Sequence, residues 1–346
     1  MKILIRLLAA LCLCLLLAGG GVAWLVYDFL HSTPESTGRE VTFDVPPGAS
    51  FNSIALSLKD KGLVTDARKF GWLARYRQMD NRLQAGRFAL RTNWTPDQVL
   101  DWLVNGQPVL FRITLPEGLS WWQTGKLLEE AGFVRFEDFR AVVLDEAFLR
   151  KYGIPFASAE GFLMPDTYLL KKDDTPDAAS ARRVAARLVD NFWRKAADLW
   201  PGGKKPAAEE LKRLVILASV VEKETAIDSE RPRVAGVYAN RLQKNMLLQA
   251  DPTVIYGLGA SFDGNLRRKH LDDPANPYNT YQRPGLPPGP ICSFGTAALA
   301  AAIAPEKHNY LYFVAKTDGG EHVFSTNLND HNRAVRQYLQ NRRKQR

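Results

Sequence analysis

The sequence predicts a mixed α+β protein hung from one N-terminal transmembrane helix. Three observations carry that reading. Leu7 to Val26 is twenty residues without a charge, long enough to cross a bilayer. A strand–turn–helix segment then occurs twice, at a constant offset of seventy positions. The second half alternates helix-periodic segments with loops and closes on a strand pair. The 346 residues allow two or three domains. We divide them as an anchor (1–27), a linker (28–39), a small α+β domain (40–110), a second strand–helix unit (111–155) and a final mixed α+β domain (156–346).

The apolar run decides topology. Lys2 and Arg6 precede it, and Asp28 and Glu35 follow. The positive-inside rule places the N-terminus in the cytoplasm and the rest outside. The alternative is a cleaved signal peptide, for which Ala18-Gly-Gly20 and Gly21-Val-Ala23 offer small-residue sites. A retained anchor is favoured, because the apolar stretch resumes through Trp24, Leu25 and Val26. Cys12 and Cys14 each follow a leucine, which argues against a lipoprotein-type site. Cys292 is alone outside the run, so the ectodomain has no internal disulfide and relies on its core.

His31 to Arg39 is polar, with Ser, Thr, Pro and Gly, and reads as a linker. The repeat follows. Val45-Pro-Pro-Gly48-Ala-Ser50 opens one copy and Leu115-Pro-Glu-Gly118-Leu-Ser120 the other. In each copy an alternating strand (Val41 to Val45; Phe111 to Leu115) runs into a Pro/Gly turn. Ser50 or Ser120 then caps a helix, and Gln123 completes a capping box in the second copy. Ile54 and Leu58, like Leu127 and Leu128, face inward, and Gly62 or Gly132 ends the helix. A further helix starts at Thr95-Pro-Asp-Gln98, with Pro at N1, and stops at Gly106. Trp72, Trp94, Trp102, Trp121 and Trp122 either fill these small cores or stack on sugar rings.

Ser158 to Tyr168 opens the second half. Val184, Leu188 and Phe192 mark a helix over Asp177–Trp200. Lys204 and Lys205 sit in a loop. A long helix spans Ala207–Thr225 and another Pro232–Leu248. Asp251-Pro252 caps a short helix over Thr253–Tyr256. Asp272 to Gly295 holds six prolines and no periodicity, and a loop of that length is usually functional. Tyr310–Ala315 and His322–Phe324 flank Asp318-Gly-Gly320 as a hairpin.

The formal net charge of +9 favours an anionic partner: nucleic acid, membrane headgroups or an acidic polymer. Apart from the tail Arg342-Arg343-Lys344 there is no basic stripe with interleaved aromatics, so nucleic acid is disfavoured. No Ser-His-Asp order, P-loop or dinucleotide fingerprint occurs, and His308, His322 and His331 lack metal-site spacing. No cofactor is expected.

The apolar run Leu214 to Val221, ending in Glu222-Lys-Glu224, is the strongest chemical signal. An acid at the end of a buried helix is poorly solvated and meets the negative end of the helix dipole. Both raise its pKa, as a general acid requires. The alternative is a core helix ending in solvated charges. Glu222 and Glu224 lie about 200° apart on a helix, so both cannot enter one cleft. Gln249, Asp251, Tyr278, Asn279, Tyr281, Ser325 and Asn327 supply amides, carboxylate, hydroxyls and rings suited to a neutral, hydroxyl-rich ligand such as a glycan.

Several motifs in one order resemble the YceG-like family. They are Glu160 to Tyr168, Leu214 to Thr225, Val237 to Leu242, Gln249 to Gly257, Tyr278-Asn-Thr-Tyr281, Gly285 to Pro290 and Tyr310 to Val314. Met164 stands where the family often has an aromatic residue, and Cys292 belongs to no family motif. The resemblance implies an anchor, a LysM-like α+β region and a lytic-transglycosylase catalytic domain. It implies endolytic cleavage of the β-1,4 bond between N-acetylmuramic acid and N-acetylglucosamine in peptidoglycan, leaving a 1,6-anhydro end on nascent strands. It further implies a single-pass protein of the bacterial inner membrane with its C-terminal domain in the periplasm, and peptidoglycan synthases as partners. Glu224-Thr225 resembles the Glu-Ser pair of lysozyme-like lytic transglycosylases, which points to Glu224 as the catalytic acid and Glu222 as a supporting one. Two other readings stay open: a non-catalytic, membrane-anchored peptidoglycan-binding scaffold, and an ordinary inverting hydrolase.

Overall fold

The computed structural model describes residues 2–46, 48–173, 175–316 and 321–344. The expected hairpin turn Asp318-Gly-Gly320 and Pro47 of the first repeat lie outside them. The chain forms two compact units, one of residues 1–111 with 169–174 and one of residues 112–168 with 175–346. Together they make a mixed α+β fold.

The first unit starts with α1 (Lys2–His31), whose stretch Cys12–His31 is long and apolar enough to cross a membrane. Helix continues to His31, past the expected end of the anchor at residue 27. The final turn is not a free linker either, because Phe29 is buried in the core of this unit. β1 (Glu40–Val45) leads to α2 (Phe51–Asp60), α3 (Ala67–Tyr76), β2 (Gly86–Arg91) and α4 (Pro96–Asn105). β1 and β2 pair antiparallel, from Glu40 opposite Arg91 to Val45 opposite Gly86. The helix ends follow local chemistry. Ser50 accepts the Ser53 N–H, Thr95 and Gln98 form a capping box, and Gly62 takes φ +67° after α2. Phe43, Leu58, Phe70, Phe88 and Leu103 close the core. Residues 32–39 are tied down as well: the Glu35 N–H donates to the Thr92 carbonyl and the Thr92 hydroxyl to Glu35 Oε2 at 2.8 Å.

The repeat continues as β3 (Leu110–Leu115), α5 (Trp121–Glu130), α6 (Phe136–Val143), α7 (Glu146–Tyr152) and β4 (Asp166–Lys171). β3 pairs with β4 in a two-stranded sheet of its own. The second copy is ten residues longer from strand to strand, room taken up by α7. The Ser120–Gln123 capping box is formed, and Gly132 takes φ +74° after α5.

The remainder of the second unit is mainly helical. α8 (Ala178–Ala197) buries Val184, Leu188 and Phe192 beneath an Asp177–Ser180 capping box. α9 (Ala208–Glu224) is its centre: every residue from Leu214 to Val221 is buried. A helix apolar all round needs neighbours on every side. These are α10 (Arg231–Gln243), α11 (Asp251–Leu258) and, past the short α12 (Arg268–Leu271), the alanine-rich α13 (Thr296–Ile303), whose small side chains admit close approach. α10 ends five residues earlier than expected. Asn245 adopts φ +52°, and Arg241 instead binds the carbonyls of Leu247 and Leu248. Asp251 is the first residue of α11 rather than its cap, a place held by Ala250. β5 (Tyr312–Ala315) and β6 (His322–Ser325) form an antiparallel pair, and α14 (Leu328–Lys344) ends the described chain.

The proline-rich segment is irregular but closely held. Ser219 on α9 accepts the Ile291 N–H at 3.0 Å. Gly118 and Leu119, in the Pro/Gly turn of the second repeat, exchange backbone hydrogen bonds with Ser293. Backbone polar groups that would be orphaned in a buried loop are thereby satisfied.

Candidate active site

Glu224 is the last residue of α9 and retains partial exposure. The Thr225 hydroxyl accepts the Ile227 N–H at 3.0 Å, which turns the chain away from the helix. The Tyr238 hydroxyl, on α10, donates to Glu224 Oε1 at 2.8 Å. Burial pushes the Glu224 carboxyl up to about 7. The Tyr238 hydrogen bond opposes that rise, nearby Asp251 adds to it, and Arg241 opposes it. At neutral pH the group therefore exists both as acid and as carboxylate, the condition for donating and then recovering a proton.

Two residues beside this acid escaped the sequence reading as site residues. Periodicity marks Tyr238 as core, and the ring is indeed buried, but its hydroxyl is spent on Glu224. Arg241 is 8% exposed; its Nε donates to the Leu311 carbonyl at 2.7 Å. It thus ties α10 to the start of β5 and to the segment before α11. The signal available in the sequence was two polar-headed side chains, three positions apart and so on one side of the helix, beside the apolar Val234 and Val237.

Of the residues anticipated for the ligand, Asp251 and Tyr281 gather here. The Tyr281 hydroxyl donates to Asp251 Oδ1 at 2.6 Å, and both interact electrostatically with Glu224. Gln249 precedes Asp251 by two positions, with an exposed side chain and φ +49°. A non-glycine residue in that region stores strain, which concentrates where a side chain must be aimed. Ser325 is buried at the end of β6, opposite Tyr312.

The others have different surroundings. Glu222 points elsewhere: Arg231 Nη2 donates to its Oε1 and the Gly295 N–H to its Oε2, both at 3.0 Å. Burial raises its pKa, while Gly295 and Arg231 pull it down. Asn279 is fully buried, and its amide nitrogen donates to the carbonyls of His270, Leu271 and Asp273. Its position makes it a brace for the loop. Asn327 caps α14 by accepting the Asp330 N–H at 3.0 Å. Tyr278 lies tilted against Tyr256, 4.8 Å between centroids, in the pocket of a different acid.

That acid is Glu160, which is 1% exposed. The Trp121 N–H donates to its Oε2 at 3.0 Å and the Tyr256 hydroxyl also engages it. Burial outweighs these donors and lifts its pKa to about 8. It holds the first turn of α5 from within the core.

Among the described residues no cluster of three or more His, Cys, Asp or Glu side chains could hold a metal ion. His308 bridges the Arg233 carbonyl and the Tyr310 N–H, and His322 pairs with buried Glu230 at 2.7 Å.

Comparison with known proteins gives one family. The profile of the YceG-like family matches residues 43–337. The endolytic murein transglycosylase of Bacillus subtilis (strain 168) is 29% identical over 335 residues, covering 92% of this chain and 91% of that protein. The endolytic murein transglycosylase of Streptococcus pneumoniae (strain ATCC BAA-255 / R6) is 29% identical over 357 positions, covering 94% of this chain and 64% of that protein. The crystal structure of a protein described as YceG-like from Listeria monocytogenes superposes with a TM-score of 0.56 at 29% identity, covering 86% of this chain and 99% of that one. Since the matched profile spans most of the sequence, this chain belongs to the YceG-like family.

Proposed function

We propose that this protein is a membrane-anchored, endolytic peptidoglycan lytic transglycosylase with Glu224 as its catalytic acid and base. The observation that carries the reading is Glu224 itself, a half-buried residue at a helix end whose carboxyl is raised to about 7 and hydrogen-bonded by the Tyr238 phenol. The names of the B. subtilis and S. pneumoniae relatives supply the substrate class.

The proton inventory closes with one carboxyl. Protonated Glu224 gives its hydrogen to the oxygen linking N-acetylmuramic acid to N-acetylglucosamine, and the C1–O bond breaks. Positive charge developing at C1 is met by the substrate's own N-acetyl group or by local dipoles. The C6 hydroxyl of the same muramic acid then bonds to C1, and its proton returns to the Glu224 carboxylate. One strand ends in a 1,6-anhydro ring, the other in a free hydroxyl, and no water is consumed. An ordinary glycosidase instead divides this work between two carboxyls. Asp251 is tied to Tyr281, which suits a binding role better than a second catalytic one. Gln249, Asp251, Tyr281 and Ser325 are the proposed sugar contacts.

We assign α1 as a retained span of the bacterial inner membrane, with the rest of the chain in the periplasm. The LysM-like assignment of residues 40–110, and the catalytic assignment of 156–346, belong to the same proposal. The test is mass spectrometry of purified peptidoglycan after incubation with the protein. Anhydro-ended fragments of internal length are expected. Reducing ends would make it a hydrolase, and intact strands would leave a binding scaffold.

A further inference from the structure

On the first unit, α3 carries an aromatic face that its own core does not use. Phe70, Leu73 and Ala74 point inward, yet Trp72 is 65% exposed and Tyr76 86% exposed. Both rings border an apolar cavity of about 1170 Å³. Its other wall is α1, through Val22, Leu25 and Val26, which are themselves about half exposed or more. Among the described residues of the unit none fills this crevice, which opens beside the last turns of the apolar helix.

The charges around it have one sign along α3. Arg68 and Arg75 flank Trp72 and are exposed, and Lys69 lies over the Phe29 ring at 5.7 Å. Arg77 is paired with Asp97 at the rim. Rings with a polar edge, framed by long basic side chains and continuous with an apolar helix, match the boundary between acyl chains and headgroups. A basic cluster beside a span is drawn to anionic lipid. Val22 to Phe29 covers roughly 10 Å along the helix axis, the depth of such a boundary rather than of a bilayer core.

We propose that this face of α3 docks on the membrane that α1 crosses. Trp72 and Tyr76 sit at the headgroup–acyl boundary, and Arg68, Lys69 and Arg75 reach anionic phospholipid phosphates. The inference rests on the reading of α1 as a retained span. It makes the first unit a bilayer-bound platform instead of a bead on a free tether.

The test reconstitutes the full chain in vesicles of phosphatidylcholine and phosphatidylglycerol whose acyl chains are brominated near the headgroup. Wild type, Trp24→Phe and Trp72→Phe are compared by tryptophan fluorescence. Trp24 lies in α1 and reports insertion. The expected result is that each variant loses part of the lipid-quenched emission, and that the part due to Trp72 shrinks when phosphatidylglycerol is omitted. Quenching of Trp24 without Trp72 would overturn the docking and leave the anchor intact. Absence of Trp24 quenching would overturn the anchor and the docking with it. Trp72 quenching indifferent to phosphatidylglycerol would overturn the role given to the basic residues. No other protein is present, so quenching at Trp72 also shows that no protein partner is needed to cover the face.

Discussion

Glu222 and Glu224 leave the same helix end into opposite surroundings. Both are desolvated by the apolar body of α9. Glu222 meets a buried guanidinium and a backbone N–H, two donors that favour its charge. Glu224 meets one phenol, and Asp251 pushes against its ionisation. The first is a buried ion pair; the second is a proton reservoir. Glu160 extends the comparison, because it is lifted further than Glu224 but lies closed within the core. A raised pKa therefore does not by itself select a catalytic acid; an opening to solvent must accompany it.

The sharpest way to break this comparison is Glu224→Gln. It should lower release of anhydro-ended fragments by about 10²–10⁴-fold, the range for a lost general acid–base, with an unchanged circular dichroism spectrum. Activity within a few-fold of wild type would remove Glu224 from the mechanism. The wild-type rate should fall as pH rises through about 7, where the acid form is lost.

Glu222→Ala should act on stability instead. Arg231 is buried and would keep Asp228 and Glu117 as carboxylate partners but lose Glu222. Because two carboxylates remain, the cost should stay below the roughly 3 kcal/mol of a buried charge left unpaired, to be read as a lower urea midpoint, with activity per folded molecule largely kept. A large loss of turnover in the folded fraction would merge the two sites after all.

Glu160 adds a stability test of known sign. Its folded pKa, about 8, lies above the ordinary 4.5, so the folded state holds a proton that the unfolded state has released. That contribution is complete below about 4.5, declines as pH rises, and is gone above about 8. Glu160→Gln should flatten this part of the dependence of Tm on pH. An unaltered slope would show that Glu160 is not protonated in the fold.

The smallest effect belongs to Tyr238→Phe. The ring stays, but the hydroxyl that favours the Glu224 carboxylate is lost. The alkaline limb of the rate profile should move to higher pH, by a fraction of a unit to about one unit given the modest value of one hydrogen bond. A shift to lower pH would reverse the role assigned to the phenol.

Much of the fold could be read in the sequence because the signals are local. Ser50, Thr95 and Ser120 cap helices with atoms three residues away, and Gly62 and Gly132 end them through their own backbone freedom. β2 and β4 were not legible. Each is six residues long and gains its partner from a strand some fifty positions earlier. Residues 328–344 escaped as a helix too, with few apolar side chains to mark a face. The overlong reading of α10 has a tertiary cause: Arg241 takes up the carbonyls of Leu247 and Leu248, which rewards leaving the helix at Asn245.

The sequence alone determined that an apolar helix must run buried and end in two acids, and that their spacing sends them to different sides. It also determined the duplicated strand–helix module and the uncharged first helix. Which acid faces Tyr238 and which faces Arg231 was settled by tertiary structure. So was the turn of Asn279 into a loop brace and of Asn327 into a helix cap. The reason is physical: a helix fixes the angle between its own side chains, but the groups that solvate or starve a carboxyl arrive from α10, α11 and the loop before α13, and only folding brings them within hydrogen-bond range.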